Sequence, residues 1–242
     1  MIHALRCGLS GILDLVYPRH CAGCGKSLHD EDGDCLCGSC RESIRFIGQE
    51  RCPRCATPVG PYAMTEGDCL ACRKMHLRFR SAIAVAQYEG AARELIHQFK
   101  YRRSEVVADT LAGMMLPRLA DEPALKKVTL IVPVPLSFVR YMERGFNQSE
   151  LLARRVGQHL GVKVSAWNLK RVRNTASQAH LPANDRLTNV ADAFAVRRRS
   201  EVAGQIVLLV DDVMTTGATA SECAKALKAA GAKDVHVLVM AR

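Results

Sequence analysis

The sequence predicts an α/β domain with a mainly parallel sheet flanked by helices, preceded by a small cysteine-rich module. Three observations carry this prediction. From residue 82 to 242, short apolar runs alternate with apolar residues at helical spacing, with no repeat of about 20–50 residues and no low-complexity tract. Ahead of residue 80 stand four Cys-x-x-Cys pairs. Near residue 210, an apolar run of strand character ends in two carboxylates and a hydroxyl-rich loop.

At 242 residues the chain is long enough for one such domain and a smaller module. Its formal charge of +10 suits anionic ligands, nucleic acid or acidic lipid. The charge is concentrated: residues 140–199 hold 12 Lys+Arg against 4 Asp+Glu and so supply +8 of it. No segment has the roughly 18–20 apolar residues that span a bilayer, and the start lacks a secretory leader pattern, so a cytoplasmic protein is expected. Eleven cysteines in a reducing compartment point to metal binding rather than disulfides.

Residues 1–18 hold an expected amphipathic helix, with Ile2, Leu5, Leu9, Ile12, Leu13 and Val16 on one face, Cys7 as a buried thiol and Pro18 after its end. Residues 19–76 carry the pairs Cys21/Cys24, Cys37/Cys40, Cys52/Cys55 and Cys69/Cys72. Twelve residues separate the first two pairs and thirteen the last two, close to the loop lengths that wrap two knuckles around one tetrahedral Zn²⁺. Two structural zinc sites paired in sequence are expected, with a cross-braced pairing as the alternative. Cys35 competes with Cys37, which the two-residue spacing favours. His20, His29 and His76 read as surface residues because eight cysteines already fill eight positions. A redox dithiol would account for one pair, not four.

Residues 73–80 read as a hinge into the domain at 80–242. A strand over 82–88 and a helix from Ala91 to Lys100 follow, the helix burying Leu95, Ile96 and Phe99. Phe99-Lys100-Tyr101, with Arg102 and Arg103 behind it, is either a solvated helix end or a source of charge for a pyrophosphate. A second buried strand, 129–132, runs into Pro133-Val134-Pro135-Leu-Ser137, where two prolines exclude helix. Arg140 and Arg144-Gly-Phe-Asn147-Gln148 then offer guanidinium and amide donors to phosphate oxygens before a helix over 149–160, or else Arg144 and Asn147 cap that helix. Lys170 to Phe194 is polar and about the length of an active-site lid, which would bring Arg171 or Arg173 onto a departing anion; a basic loop for nucleic acid is the other reading. Arg197, Arg198 and Arg199 form a charge run that suits solvated surface or nucleic-acid contact.

The most informative stretch is Val207-Leu-Leu-Val-Asp211-Asp212-Val-Met-Thr215-Thr216-Gly217-Ala218-Thr219. Val207 to Val210 suit a strand buried on both faces, and Ala220, Cys223, Ala224, Leu227 and Ala230 a helix that Gly231 closes. A loop opening a helix offers backbone N–H groups to an anion, the threonines add hydroxyls, and Gly217 lets backbone approach a phosphate. Asp211 and Asp212 stand at the carboxyl end of the strand, where open α/β sheets bind ligands and where carboxylates can accept from sugar hydroxyls. The pattern asks for a sugar phosphate. It lacks the lysine of a Walker loop, and Met214 breaks the Asp-x-Asp of an aspartyl-phosphate enzyme.

This stretch resembles the phosphoribosyl-pyrophosphate (PRPP) motif of type I phosphoribosyltransferases. The resemblance implies that Asp211 and Asp212 hold the ribose 2′ and 3′ hydroxyls, that Thr215 to Thr219 hold the 5′-phosphate, and that Pro133 to Ser137 form the pyrophosphate loop. Purine-salvage members carry a carboxylate where this chain has Thr215, which points away from a purine acceptor. With the N-terminal helix, paired knuckles, Val-Pro-Val-Pro, Arg144 to Gln148 and the 178–189 span, nearly the whole chain resembles the ComF family of competence proteins, which join a double zinc ribbon to a type I phosphoribosyltransferase-like domain. That resemblance implies a role in natural transformation, with single-stranded DNA and DNA-uptake machinery as partners. Two readings stay open: a phosphoribosyltransferase acting on Mg²⁺-PRPP, with Asp211, Asp212 and Arg144 as its catalytic groups, or a PRPP or nucleotide sensor without turnover that holds DNA through basic residues. Few aromatics are present, so phosphate contact is expected to outweigh base stacking.

Overall fold

A computed structural model describes residues 19–28, 34–60, 64–65, 68–70, 72, 75, 77–101, 103–120, 122–173 and 191–242. The expected N-terminal helix with Cys7, the residues His29, His76 and Arg102, and the 174–190 part of the basic span lie outside them.

A short helix α1 (Gly38–Glu42) and a two-residue hairpin of β1 (Met64–Thr65) and β2 (Asp68–Cys69) belong to the cysteine-rich segment. Then come β3 (Ser81–Ala86), α2 (Gly90–Tyr101), α3 (Glu105–Ala120), β4 (Leu130–Pro133), α4 (Phe138–Arg144), α5 (Gln148–Leu160), β5 (Leu169–Arg171), β6 (Phe194–Val196), β7 (Ile206–Val213), α6 (Ala218–Ala229) and β8 (Asp234–Ala241). Four strands form a parallel sheet in the order β3-β8-β7-β4. Continuous Val/Ile/Leu/Ala runs suit it, because both faces are covered.

Alternation along the strands divides the core. Ile83, Val85, Ile131, Leu208, Val210, Leu238 and Met240 face α2, α3 and α5, meeting Leu95, Ile96, Phe99, Leu111 and Leu152. Val132, Val207, Leu209, Val237 and Val239 face α6 and the β5–β6 hairpin, meeting Cys223, Leu227, Leu169 and Phe194. Gly157 of α5 lies where a Cβ would stand 2.4 Å from Val164, so only glycine lets that helix settle against the sheet.

Three sequence readings change. Strand β7 does not stop at Val210; β8 is equally long and pairs with it through Asp211↔Val239 and Val213↔Ala241, so both aspartates sit on the strand itself. The run after Pro135 is not only a loop: Ser137 caps α4, accepting from Arg140 N at 3.4 Å, and Gly145 ends it with φ 73°. The expected hinge is packed at 77–79, where Leu77 and Phe79 are buried and Arg78 N donates to Ser221 Oγ of α6 at 3.1 Å.

The cysteine-rich segment crosses the sheet edge. Phe46 forms an antiparallel bridge with Ala86, Ile47 N donates to Val85 O, and Gln87 N donates to Arg45 O. The first cysteine cluster thereby lies on the α2 face, with Cys21, Leu36 and Ile44 in that core, and the second on the α6 face, with Ile47, Cys52 and Cys55. Among the described residues, no helix is long and apolar enough to cross a membrane.

Candidate PRPP site and metal centres

The metal centres follow from knuckle geometry. The sulfurs of Cys21, Cys24, Cys37 and Cys40 lie within 4.8 Å of one another, as do those of Cys52, Cys55, Cys69 and Cys72. A tetrahedral Zn²⁺ with bonds near 2.3 Å puts its sulfurs roughly 3.8 Å apart. Cys24–Cys37 and Cys52–Cys72 are at 3.8 Å and Cys55–Cys69 at 3.6 Å, so both thiol sets fit the ion. The pairs combine in sequence rather than cross-braced. Backbone N–H groups of Gly23 and Cys37 point at Cys21 Sγ, at 3.4 and 3.3 Å, and the Ser39 hydroxyl holds Cys37 down at about 6. Cys35 instead donates to Thr110 Oγ1 at 3.2 Å, and burial pushes its thiol up. His20 is exposed, with its backbone bridged to Ser27.

The second site stands at the carboxyl end of the parallel sheet. Because β4 pairs with β7 in the register Pro133↔Val210, the two chains leave the sheet side by side, and Val134 N donates to Val210 O at 2.9 Å. Asp211 and Asp212 follow Val210, and a cavity is lined by Asp211, Val213, Val239 and the whole run Met214–Ala220. Gly217 holds the N-cap of α6 at φ 79°, a conformation glycine adopts without strain, while its nearest neighbours stand at ordinary contact distance. Its demand is therefore conformational rather than spatial. Thr216 Oγ1 accepts from Ala218 N at 3.3 Å, and a hydroxyl that accepts still has its own proton to give.

Two groups that the sequence reading left ambiguous or missed hold the carboxylates. Ser149 Oγ, in the first turn of α5, donates to Asp211 Oδ1 at 2.8 Å, and Asp212 N donates to the same oxygen at 2.9 Å. Lys100 Nζ stands 3.5 Å from Asp212 Oδ2, so the end of α2 is a charge partner of the site rather than a solvated tip. Gln148, 1% exposed, joins the two helices by donating to Lys100 O at 3.0 Å and accepting from Arg144 Nη1 at 3.1 Å. Only the start of a helix at Ser149 was visible in the sequence, and its approach to Asp211 depends on β4 lying beside β7. Although Asp211 keeps intermediate exposure as a residue, burial of its carboxyl and then the charge of Asp212 push it up to about 7.

Of the two readings for Arg144 to Gln148, capping describes Asn147. Its Oδ1 accepts from Ser149 N at 3.1 Å and its Nδ2 donates to Val134 O at 3.0 Å, pegging the Pro133–Pro135 loop to α5. Arg144 lies over the Tyr101 ring at 5.9 Å, and burial lowers its guanidinium against the opposing charge of Asp212. The other basic candidates divide. Arg171 stacks 5.6 Å from the Phe194 ring, with burial and then the charge of Arg140 lowering it, while Arg173 donates to Ala191 O at 2.7 Å. Arg197, Arg198 and Arg199 precede β7 at the opposite end of the sheet, where Arg199 donates to Ala229 O at the end of α6 and Arg198 pairs with Glu201. The structure does not bring that run to the site.

Comparison with known proteins agrees with both halves. A double zinc ribbon domain model matches residues 12–75, and a phosphoribosyl transferase domain model matches residues 143–242. The chain is 34% identical over 210 residues to DNA utilization protein YhgH of Salmonella typhi, covering 86% of this chain and 90% of that protein. It is 30% identical over 226 residues to competence protein F of Haemophilus influenzae, covering 92% and 96%. The chain belongs to the ComF family. Competence protein ComFC of Streptococcus pneumoniae is a further relative, 28% identical over 216 residues, covering 87% and 89%. Membership gives this ComF protein a double zinc ribbon and a phosphoribosyltransferase-like fold.

Two predictions follow from the geometry. Metal analysis of the purified chain should give two zinc ions, falling to about one in Cys37→Ser and staying at two in Cys35→Ser; loss of zinc from the Cys35 variant would contradict the ligand set. Asp211 binds a proton more tightly folded than unfolded, so its contribution to stability is full below the ordinary carboxylate range and is lost as pH rises through about 7. Asp211→Asn keeps the oxygen acceptor and removes that loss. Thermal melts at pH 8 should show it about 2–4 °C above the parent, the shift that about 1 kcal/mol makes in a chain of this size.

Proposed function

We propose that this ComF protein binds Mg²⁺-PRPP at the carboxyl end of its parallel sheet and acts in DNA uptake as a single-stranded-DNA-binding, phosphoribosyltransferase-like protein of the cytoplasm. The observation that supports the reading is the pairing of β4 with β7, Pro133 opposite Val210, together with the cavity lined by Asp211 and the Met214–Ala220 run that follows β7. The names of its relatives, DNA utilization and competence proteins, support the DNA half.

In this reading the 5′-phosphate takes backbone N–H and hydroxyl donors from Thr215 to Thr219 at the start of α6. The ribose hydroxyls donate to Asp211 and Asp212, which Ser149 and Lys100 hold in place. The pyrophosphate lies along Pro133, Val134 and Pro135, within the field of Arg144. Mg²⁺ enters with PRPP, for which carboxylate and phosphate oxygens are suitable hard donors. In the transferase form, an acceptor attacks the ribose C1 as pyrophosphate leaves toward Arg144, and positioning with charge stabilisation supplies the rate. Zinc in residues 19–76 has a folding role, joining that segment to the 80–242 domain.

Isothermal calorimetry with Mg²⁺-PRPP tests the site. Wild type should give a binding isotherm that Asp211→Ala/Asp212→Ala loses, and binding to wild type should tighten as pH rises through about 7, where Asp211 ionises and becomes a full acceptor. Equal heats from the two proteins would remove the assignment.

A further inference from the structure

Helix α4 contributes no buried residue to the fold, although four of its seven residues are large and apolar. Phe138 is 70% exposed, Val139 50%, Tyr141 37% and Met142 66%. Positions 138, 141 and 142 share one helix face, with neighbours about 5–6 Å apart, so these side chains form a patch rather than scattered contacts. Tyr101, 68% exposed at the end of α2, lies nearby with its ring 5.9 Å from the Arg144 guanidinium. An exposed apolar patch of this kind marks an interaction surface.

We propose that the outer face of α4, with Phe138, Tyr141 and Met142, is a platform on which bases of single-stranded DNA stack beside the mouth of the PRPP site. The proposal rests on the DNA half of the function above and gives it a place and a mode of contact. The charge around the patch selects the occupant. Arg140 and Arg144 stand four residues apart on the same helix, Arg171 lies close enough for the Arg140 charge to act on it, and Lys100 ends the neighbouring helix; Glu143 is the one carboxylate on α4. A polyanion whose bases offer flat apolar faces complements both the basic surround and the aromatic centre, while a duplex keeps those faces inside its own stack. The patch is continuous with the site, since α4 runs on directly from the Pro133–Ser137 loop. Stacking therefore carries more of the binding than the small number of aromatics in the sequence suggests, and the distant Arg197–Arg199 run carries less.

The test measures fluorescence anisotropy of labelled oligothymidylate, an abasic strand of equal length and a duplex, using the full zinc-loaded chain. Phe138→Ala and Tyr141→Ala should each weaken binding to oligothymidylate by about 5- to 150-fold, the size expected for loss of one stacked base. Tyr141→Phe should bind as wild type, and the slope of log affinity on log salt should not change in any of them, because no phosphate contact is lost. The abasic strand should bind wild type at least as weakly as oligothymidylate binds either alanine variant. Equal affinity of wild type and alanine variants, or of abasic and thymidine strands, would overturn the platform while leaving DNA binding intact. Failure of wild type to bind any single strand would overturn both it and the DNA half of the function, with PRPP calorimetry unaffected. A dimer in sedimentation that Phe138→Ala abolishes, with unchanged DNA binding, would assign the face to a second copy and likewise overturn the proposal.

Discussion

The parallel pairing of β4 with β7 is the constraint on which the site depends. Two segments more than seventy residues apart in the chain reach the same sheet edge in register, Pro133 opposite Val210, and leave it in the same direction. The two loops differ in what they offer: one a strand end and a helix start, the other two carboxylates and a hydroxyl-rich turn. A shift of one residue in that register would exchange the faces that Asp211 and Asp212 take and separate them from Ser149 and Lys100. Buried Val, Ile and Leu on both sides of the sheet fix the register, so the apolar core positions the polar groups.

The site accepts an electrostatic cost for that position. Two adjacent carboxylates at a partly buried strand end repel one another, and Asp211 responds by holding its proton up to about pH 7. Lys100 and Ser149 offset the cost without removing it, which leaves carboxylate oxygens able to accept further hydrogen bonds. Strain of this kind is common where a fold keeps groups ready for a ligand, and it is a reason for the site to gain stability on binding.

The zinc modules solve a different problem. Strand β3 is a sheet edge, and the segment 45–47 covers the carbonyl end of it through Ile47–Val85 and Arg45–Gln87 backbone bonds. An uncovered edge invites pairing with another chain. By placing one cysteine cluster on each face, the segment clamps the edge from both sides, and Arg118 on Ile47 O with the Arg51–Glu122 pair ties the crossing to α3 and the turn after it. Metal binding thus completes both faces of the core rather than stabilising a detached appendage. The cysteine-rich segment reads as a separate module in sequence because cysteine spacing is local, whereas its attachment runs through backbone bonds, side-chain ties and shared core packing that no spacing reports.

Much of the fold was legible because its signals are local: the cysteine pairs, the buried strands and the helix that ends before Gly231. What escaped were features set by tertiary placement. Helix α4 was hidden because its apolar residues face outward, the reverse of the pattern by which helices are recognised, and β7 outruns its apolar stretch because β8 supplies a partner for Asp211. Ser149 is an ordinary residue in sequence and Lys100 one with two open readings; sheet order brings both to the carboxylates. The central claim is that both strand-end loops hold one ligand, and amide hydrogen exchange of the zinc-loaded chain, with and without Mg²⁺-PRPP, tests it most directly. Slower exchange in residues 215–219 and 134–148 together, at the same ligand concentration, is the predicted result; protection confined to one loop, or absent from both, would contradict it.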